Sequence, residues 1–454
     1  MDSYVGKAIF NTRLTDCQIS KNTLSLYLDG DTAKNMLWQK SDDGTLSFCH
    51  KPLSANVILV YTNDGCFEIA CYFDNENYGI NSKSFFMGPT TISIPLKRHI
   101  VYDLSKHNDK VYMRYYSKNF HRFSNLIPSF EYKNPENGKA EFYFSCDFPS
   151  LDKKCSFKLQ KYNVTMKPIY YCSWKGAKID FIPGIELEFD KRIIDSEIEK
   201  IYNSFLRFIH YCFMRTDIFP DRFMFSNGGC EGEIISNFPQ DDSIENYTAA
   251  WRDSFSWDVL YKHAGELYNL IFDNKIHILN NLENLKQRMS VSFESISKDS
   301  AAFESEFDSL FPDGCPCSES RRNLETEIMK ELTPLYENST GKKRKIYKGL
   351  IKHVHQETLS DKIKYAFETY KDCIFTTKTR LKIDYTNEAL GEYCSQIRND
   401  VDHGNRITGI TEEQANSFIL LRCLIYAMQL KKANFSSEDI SNLIDSLYQI
   451  KGLL

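Results

Sequence analysis

The sequence contains no long apolar run. The longest apolar stretch among the 454 residues, Phe418–Met428, is interrupted by Arg422 and falls short of the ~20 residues that a membrane-spanning helix needs. The opening residues MDSYVGKAIFN also lack the basic start and apolar run of a secretory leader. We therefore expect a cytoplasmic protein that does not insert into membranes.

An excess of positive charge is missing as well. The formal net charge is -5 and the pI is about 6.1, which argues against a protein that coats nucleic acid through its overall charge. Any contact with RNA must therefore come from a local basic patch. The 42% hydrophobic content, with 27 Tyr and 32 Phe, is typical of a folded chain, and the length favours two or three domains.

The 14 cysteines form no recognisable metal or disulfide pattern. They are scattered through a large chain, which favours reduced thiols over disulfides. Cys315 and Cys317 lack the two-residue gap that is usual for zinc, and His353 and His355 have a strand spacing in a segment whose pattern is helical. We expect no metal and no other cofactor, and the role of these four residues stays open.

Hydrophobic periodicity divides the chain into a β-rich front and a helical rear. Residues 1–240 alternate apolar and polar side chains between turn signals, which predicts an antiparallel sheet with an inserted helix near 195–213. Residues 241–310 read as a helical connecting region, and 311–454 as an all-α domain. The fold class expected is therefore α+β multidomain, with a β-rich antiparallel N-terminal region and an all-α C-terminal helical bundle.

Local signals refine this division. Asn227-Gly228-Gly229 predicts a hairpin at the end of the β-rich part. The side chains of Thr411 and Gln414 have the spacing of a capping box, which predicts a helix start there. The helices expected in the rear span 318–337, 343–358, 360–373, 386–403, 411–433 and 436–450.

Six residues near the C-terminus combine an arginine, a polar neighbour and a histidine: Arg398-Asn399-Asp400-Val401-Asp402-His403. Gly404 follows as a natural helix C-cap, which puts His403 in or beside the last helical residue. Random placement would give this strict spacing, with Asn, Asp or His after the arginine, about 0.06 times in such a chain. Arg114 and His121, in the β-rich half, match a looser form of the spacing. We take this pair as a chance match with which the motif can be compared.

This spacing is typical of RNA cleavage without a metal. Histidine, with an ordinary pKa of about 6.5, can exchange a proton with a ribose 2′-hydroxyl or a leaving 5′-oxygen, so His403 is the candidate proton-transfer group. Arg398 can bind the phosphate as negative charge builds, and Asn399 can orient either group. On an ideal helix Arg398 and His403 lie about 140° apart, so they converge only where the helix ends or where a second chain completes the site. The alternative is an arginine–carboxylate pair and a histidine that cap a helix.

Two further sets of residues bear on this site. Asp400 and Asp402 lie inside the motif and can pair with Arg398 or polarise His403, or can face solvent. A basic segment without acids offers a contact for RNA phosphates or, alternatively, a solvated helix start. The candidate RNA-binding residues are Lys342, Lys343, Arg344, Lys345 and Arg406.

An all-α segment of about 140 residues that carries Arg398, Asn399 and His403 near a helix end resembles the HEPN superfamily of ribonucleases. The β-rich front and helical middle are similar to those of ApeA-like anti-phage HEPN proteins. The resemblance implies a homodimer that cuts RNA, with tRNA as a candidate substrate, in abortive-infection defence. It also implies that the N-terminal region senses a phage-derived trigger. The alternatives are a non-catalytic HEPN module that binds RNA or protein, and a β-domain ligand sensor whose helical tail only dimerises.

Overall fold

A large antiparallel sheet dominates the N-terminal part of the computed structural model. Contacts group the chain into two units: the first comprises Met1–Tyr202 and Phe219–Thr248, and the second comprises Asn203–Ile218 and Ala249–Leu454. The structure describes residues 3–10, 13–20, 23–28, 38–40, 46–48, 57–62, 67–73, 81–83, 90–120, 127–133, 141–147, 152–175, 178–236, 254–278, 282, 285–288, 290–316, 319–354, 357–402 and 409–448.

All the described strands belong to the first unit. They are β1 Ser3–Phe10, β2 Arg13–Ser20, β3 Thr23–Leu28, β4 Trp38–Lys40, β5 Leu46–Phe48, β6 Val57–Thr62, β7 Phe67–Phe73, β8 Asn81–Lys83, β9 Thr90–Tyr116, β10 Ile127–Lys133, β11 Glu141–Asp147, β12 Cys155–Leu159, β13 Tyr162–Lys175, β14 Lys178–Phe189 and β15 Arg222–Ser236.

Eleven of these strands form one sheet, in the order β12-β13-β14-β9-β3-β2-β1-β6-β7, with β8 and β15 also paired to β9. The alternating pattern explains the burial: in β3, Leu24 and Leu26 are fully buried whereas Tyr27, on the other face, is exposed. The expected antiparallel, β-rich N-terminal region is confirmed.

The expected hairpin at Asn227–Gly229 is wrong. Strand β15 continues through these residues and pairs with β9 on both sides of them. Gly228 has a φ of +71°, and the register shifts between Asn227 and Gly229 and again between Cys230 and Glu231. Gly228 therefore lies at an irregularity within one long strand and does not close a turn.

The second unit is helical. The described helices of the chain are α1 Asp195–Phe213, α2 Trp257–Leu260, α3 Ala264–Phe272, α4 Leu285–Arg288, α5 Phe293–Leu310, α6 Glu319–Glu337, α7 Gly341–Val354, α8 Leu359–Thr369, α9 Lys371–Arg380, α10 Asn387–Asp402, α11 Glu412–Lys432 and α12 Ser437–Leu447. The helical C-terminal region is confirmed, so the fold class is α+β. None of the described helices is long and apolar enough to cross a bilayer.

One helix expected at 360–373 is instead two. Helix α8 ends at Thr369 and α9 begins at Lys371, with Tyr370 as the cap between them. Tyr370 is buried, so packing of its ring accompanies a break that the apolar periodicity did not predict. The three-part division at 240 and 310, with its functional labels, stays a prediction.

Helix α11 is the centre of the second unit. Every residue from Ser417 to Leu430 is buried, so the helix is surrounded on all sides. Its start is the expected capping box: Thr411 accepts from the backbone N–H of Gln414, and the Gln414 side chain accepts from the Thr411 N–H. The ring of Tyr426 stacks on that of Tyr211 with centroids 4.5 Å apart.

A fully buried ion pair joins α11 to α5. Arg422 donates from Nε to Asp299 at 2.7 Å, and both side chains have zero exposure. The remaining guanidinium protons go to the carbonyl oxygens of Gln287 and Ser290, each at 2.9 Å, and to the Ser295 hydroxyl at 3.0 Å. This satisfies the charge and the donors, as burial requires.

A second buried carboxylate lies seven residues along α5. Glu306 accepts from the Gln429 amide at 2.9 Å and from Lys432. Because Asp299 and Glu306 are seven residues apart, as are Arg422 and Gln429, the two helices are fixed at two successive levels. Helix α5 is thus held rigidly against the central helix.

Removing the charge of Asp299 should destabilise the second unit strongly. Asp299→Asn leaves the Arg422 guanidinium buried without a counter-charge, and we expect the free energy of unfolding to fall by about 3–5 kcal/mol. Urea denaturation followed by the helical circular dichroism signal measures this. The control is Glu294→Gln, which breaks the exposed pair with Lys298 on the same helix and should cost less than about 1 kcal/mol. If both variants lost the same amount of unfolding free energy, the proposed role of the buried ion pair would be contradicted.

A buried histidine gives the second unit an acid-sensitive point. His210 donates from Nε2 to the carbonyl oxygen of Ile218 at 3.0 Å, and burial lowers the pKa of His210 from 6.5 to about 4. The fold favours the neutral form of His210. The contribution of this histidine to the free energy of unfolding is therefore complete above pH 6.5 and is lost as the pH falls from about 6.5 to about 4. We expect His210→Gln to flatten the fall in unfolding free energy across this window in urea titrations. An identical pH dependence in the variant would refute this assignment.

Candidate functional site

The motif arginine lies on the last turns of α10. The N–H of Ala389 donates to the Thr386 hydroxyl at 3.2 Å, which caps the start of the helix. Leu390, Cys394 and Ile397 form its buried stripe. Gly391 lets α10 approach α8 closely, since a Cβ there would lie 2.8 Å from the carbonyl oxygen of Ser360. Arg398 therefore projects beside this buried stripe.

Arg398 makes three polar contacts with its own chain. Its Nε is 2.8 Å from Oδ2 of Asp402, one turn further along α10, and its side chain remains 33% exposed. Its Nη1 donates to Oδ1 of Asn399 at 3.4 Å. Its Nη2 lies 3.9 Å from Oε2 of Glu304 on α5, which is too long for a hydrogen bond but close enough for an electrostatic contact. The guanidinium is thus accessible but already faces two carboxylates.

Asp402 connects the two helices. While Oδ2 faces Arg398, Oδ1 accepts a hydrogen bond from the Ser297 hydroxyl of α5 at 2.9 Å. The expectation that an acid inside the motif pairs with Arg398 is met by Asp402. Ser297 and Glu304 were not predicted as site residues. They are seven residues apart on one face of α5, but nothing in the sequence indicates that this face meets α10.

The proton-transfer half of the motif lies outside the described residues. The described part of helix α10 runs to Asp402, and the expected boundary at residue 403 lies outside the described residues. His403 and Gly404, together with Arg406, belong to the part of the chain that the structure does not describe. The structure therefore brings Arg398, Asn399 and Asp402 together and leaves the placement of His403 a prediction.

The basic segment begins a helix. Lys342, Lys343, Arg344 and Lys345 all lie in the first turns of α7 and are all exposed. Arg344 also lies over the Tyr336 ring, 4.9 Å from its centroid. Four bases and no acid at a helix N-terminus oppose the helix dipole, so this arrangement does not serve the stability of α7.

Arg114, the arginine of the chance match to the motif, has different surroundings from Arg398. Arg114 pairs with the almost fully buried carboxylate of Glu186 and lies 3.8 Å from the centroid of the Tyr112 ring. Glu186 also accepts from Lys167 at 2.9 Å. His121 lies outside the described residues. Arg114 therefore belongs to a charge network on the sheet.

Burial raises the thiol pKa of five described cysteines, Cys17, Cys212, Cys373, Cys394 and Cys423. The structure describes the side chains of eight cysteines, and none of the eight forms a disulfide. Burial raises the pKa of Cys17 to about 11 and that of Cys423 to about 12, so both remain protonated thiols at neutral pH. Within the described part of the chain, no group of three or more His, Cys, Asp or Glu is placed to hold a metal; Cys317 and His355 are outside it.

Comparisons with models of known protein families, with curated proteins and with solved structures find no match for this chain. The site must therefore be interpreted from its own residues.

Removing the Arg398 side chain should not unfold the protein. Its ion pair with Asp402 is partly exposed, and such pairs contribute less than about 1 kcal/mol. We expect Arg398→Ala to keep the wild-type circular dichroism spectrum and nearly the same urea midpoint. A loss of several kcal/mol would instead make Arg398 a structural residue and would favour the helix-capping alternative.

Proposed function

We propose that the helical C-terminal domain is a metal-independent endoribonuclease of the HEPN superfamily, and that the chain is an ApeA-like anti-phage protein. The observation that carries the proposal is Arg398, an accessible guanidinium beside Asn399 on the last turns of a helix. His403 directly follows Asp402, the last described residue of that helix. The all-helical surroundings of α10 support the same assignment.

In the proposed reaction, the ribose 2′-oxygen attacks the adjacent phosphorus while the bond from phosphorus to the 5′-oxygen breaks. His403 takes the proton of the attacking 2′-hydroxyl or gives one to the leaving 5′-oxygen, because its ordinary pKa lies near neutrality, and solvent water makes the other proton transfer. Arg398 neutralises the charge that builds on the phosphate, and Asn399 supports the reaction by orienting either His403 or Arg398. The products are a 2′,3′-cyclic phosphate and a 5′-hydroxyl.

The substrate that we propose is RNA, with tRNA as a candidate, bound through local positive charge. The exposed bases at the start of α7 provide such charge in a chain whose net charge is -5. We assign Lys342, Lys343, Arg344, Lys345 and Arg406 to phosphate contacts. Their loss should weaken RNA binding and reduce its dependence on salt.

A second copy of the chain completes the proposed site. Arg398 and His403 lie about 140° apart on an ideal helix, so one protomer's arginine and its partner's histidine can share a cleft across a two-fold axis. The β-rich N-terminal region acts in this proposal as the sensor of a phage-derived trigger. Cleavage of cellular RNA then stops growth of the infected cell.

The alternative is a non-catalytic HEPN module that binds RNA or protein, or that dimerises. One observation favours it: two carboxylates, from Asp402 and Glu304, already face Arg398. If Glu304 keeps the Nη edge of the guanidinium when RNA is bound, the arginine serves the fold and does not meet a phosphate.

Cleavage of RNA by the purified protein in EDTA separates the two functions. We expect the wild type to cut total RNA with EDTA present, after addition of a phage lysate if the basal state is silent. His403→Ala and Arg398→Ala should each lower the rate by at least about 100-fold. Glu294→Gln, on an exposed surface of α5, should keep the wild-type rate.

Three results would count against the enzyme. Loss of cleavage in EDTA would rule out the metal-free mechanism, and full activity of His403→Ala would make the motif assignment wrong. No cleavage under any condition would favour the binding module.

A further inference from the structure

Two side chains from outside the motif reach the end of α10, and both come from α5. The hydroxyl of Ser297 donates to Oδ1 of Asp402 at 2.9 Å, and Oε2 of Glu304 lies 3.9 Å from Nη2 of Arg398. Residues seven apart on a helix lie on the same face, about two turns apart. A single face of α5 therefore contacts both the motif arginine and the acid that holds it.

The contact through Asp402 fixes the direction of the guanidinium. The carboxylate is held from two sides, by Ser297 at Oδ1 and by Nε of Arg398 at Oδ2, 2.8 Å away. With the Nε edge of the planar group occupied, the outward fork of Nη1 and Nη2 is the edge that remains for a phosphate. The Asn399 contact at 3.4 Å and the Glu304 contact at 3.9 Å on that fork are long and weak.

Helix α5 is rigid enough to set this geometry. Its opposite face, about 160° around the helix, carries Asp299 and Glu306, which are buried against Arg422 and Lys432 of α11. A side chain that positions a functional group to within a few tenths of an ångström needs such a support. Ser297 and Glu304 are therefore presented to α10 from a fixed frame.

We propose that α5 controls how Arg398 meets a phosphate. Ser297 is a positioning residue that orients Arg398 through Asp402, and Glu304 competes with the phosphate for the Nη fork. This inference rests on the proposed ribonuclease function for its phosphate. Removing the Ser297 hydroxyl should impair the reaction more than binding, whereas removing the Glu304 charge should tighten binding.

The test compares four variants of the full chain: Ser297→Ala, Ser297→Thr, Glu304→Gln and the control Glu294→Gln. We expect Ser297→Ala to lower the single-turnover cleavage rate about 10-fold with little change in the Kd for RNA, and Ser297→Thr to restore the rate. Glu304→Gln should lower the Kd about threefold at low salt, with the effect fading as salt rises. Glu294→Gln should match the wild type in both measurements.

A second measurement does not depend on catalysis. Nitrogen-15 relaxation of the Arg398 Nε–H should show a restrained side chain in the wild type and in Ser297→Thr, and a mobile one in Ser297→Ala.

If the wild type neither cuts nor binds RNA through Arg398, the proposed function fails whatever the relaxation shows. If the wild type cuts RNA but Ser297→Ala matches it in rate and mobility, the positioning role is overturned. A Kd for Glu304→Gln equal to that of Glu294→Gln overturns the competition.

Discussion

The helical unit depends on one buried ion pair. Arg422 lies in the middle of α11, within a run of residues that are all buried, where an uncompensated charge would be very costly. Asp299 and the oxygen acceptors around it satisfy that charge, and in doing so they fix α5 against α11. Since such a pair tolerates little change in geometry, it specifies how these two helices pack.

That constraint reaches the candidate site through α5. One face of this helix is held against the core by Asp299 and Glu306, and the opposite face presents Ser297 and Glu304 to the end of α10. The surroundings of Arg398 are thus determined by core packing and not only by its own helix. This explains how a partly exposed, flexible type of side chain can have a defined orientation.

Periodicity predicted the β-rich front, the helical rear and the capped start of α11, because these follow from local alternation and hydrogen-bonding propensity. It failed where tertiary structure decides: at Gly228, which lies within one long strand, and at Tyr370, where one expected helix becomes two. The candidate motif arginine could be chosen from the sequence, by its spacing to His403 together with Asn399 and Gly404. Its partners on α5 could not, since nothing in a single sequence shows which helix faces meet.

The central claim is that Arg398 and His403 carry out an attack by the ribose 2′-hydroxyl. The most direct measurement uses an RNA that the protein cuts at a mapped position, and a matched RNA with a single 2′-deoxy nucleotide on the 5′ side of the cut. With EDTA present, the account predicts a 2′,3′-cyclic phosphate on the first RNA and no cut at that position in the second. Cleavage of the 2′-deoxy RNA at the same position, or a 3′-hydroxyl product, would contradict it.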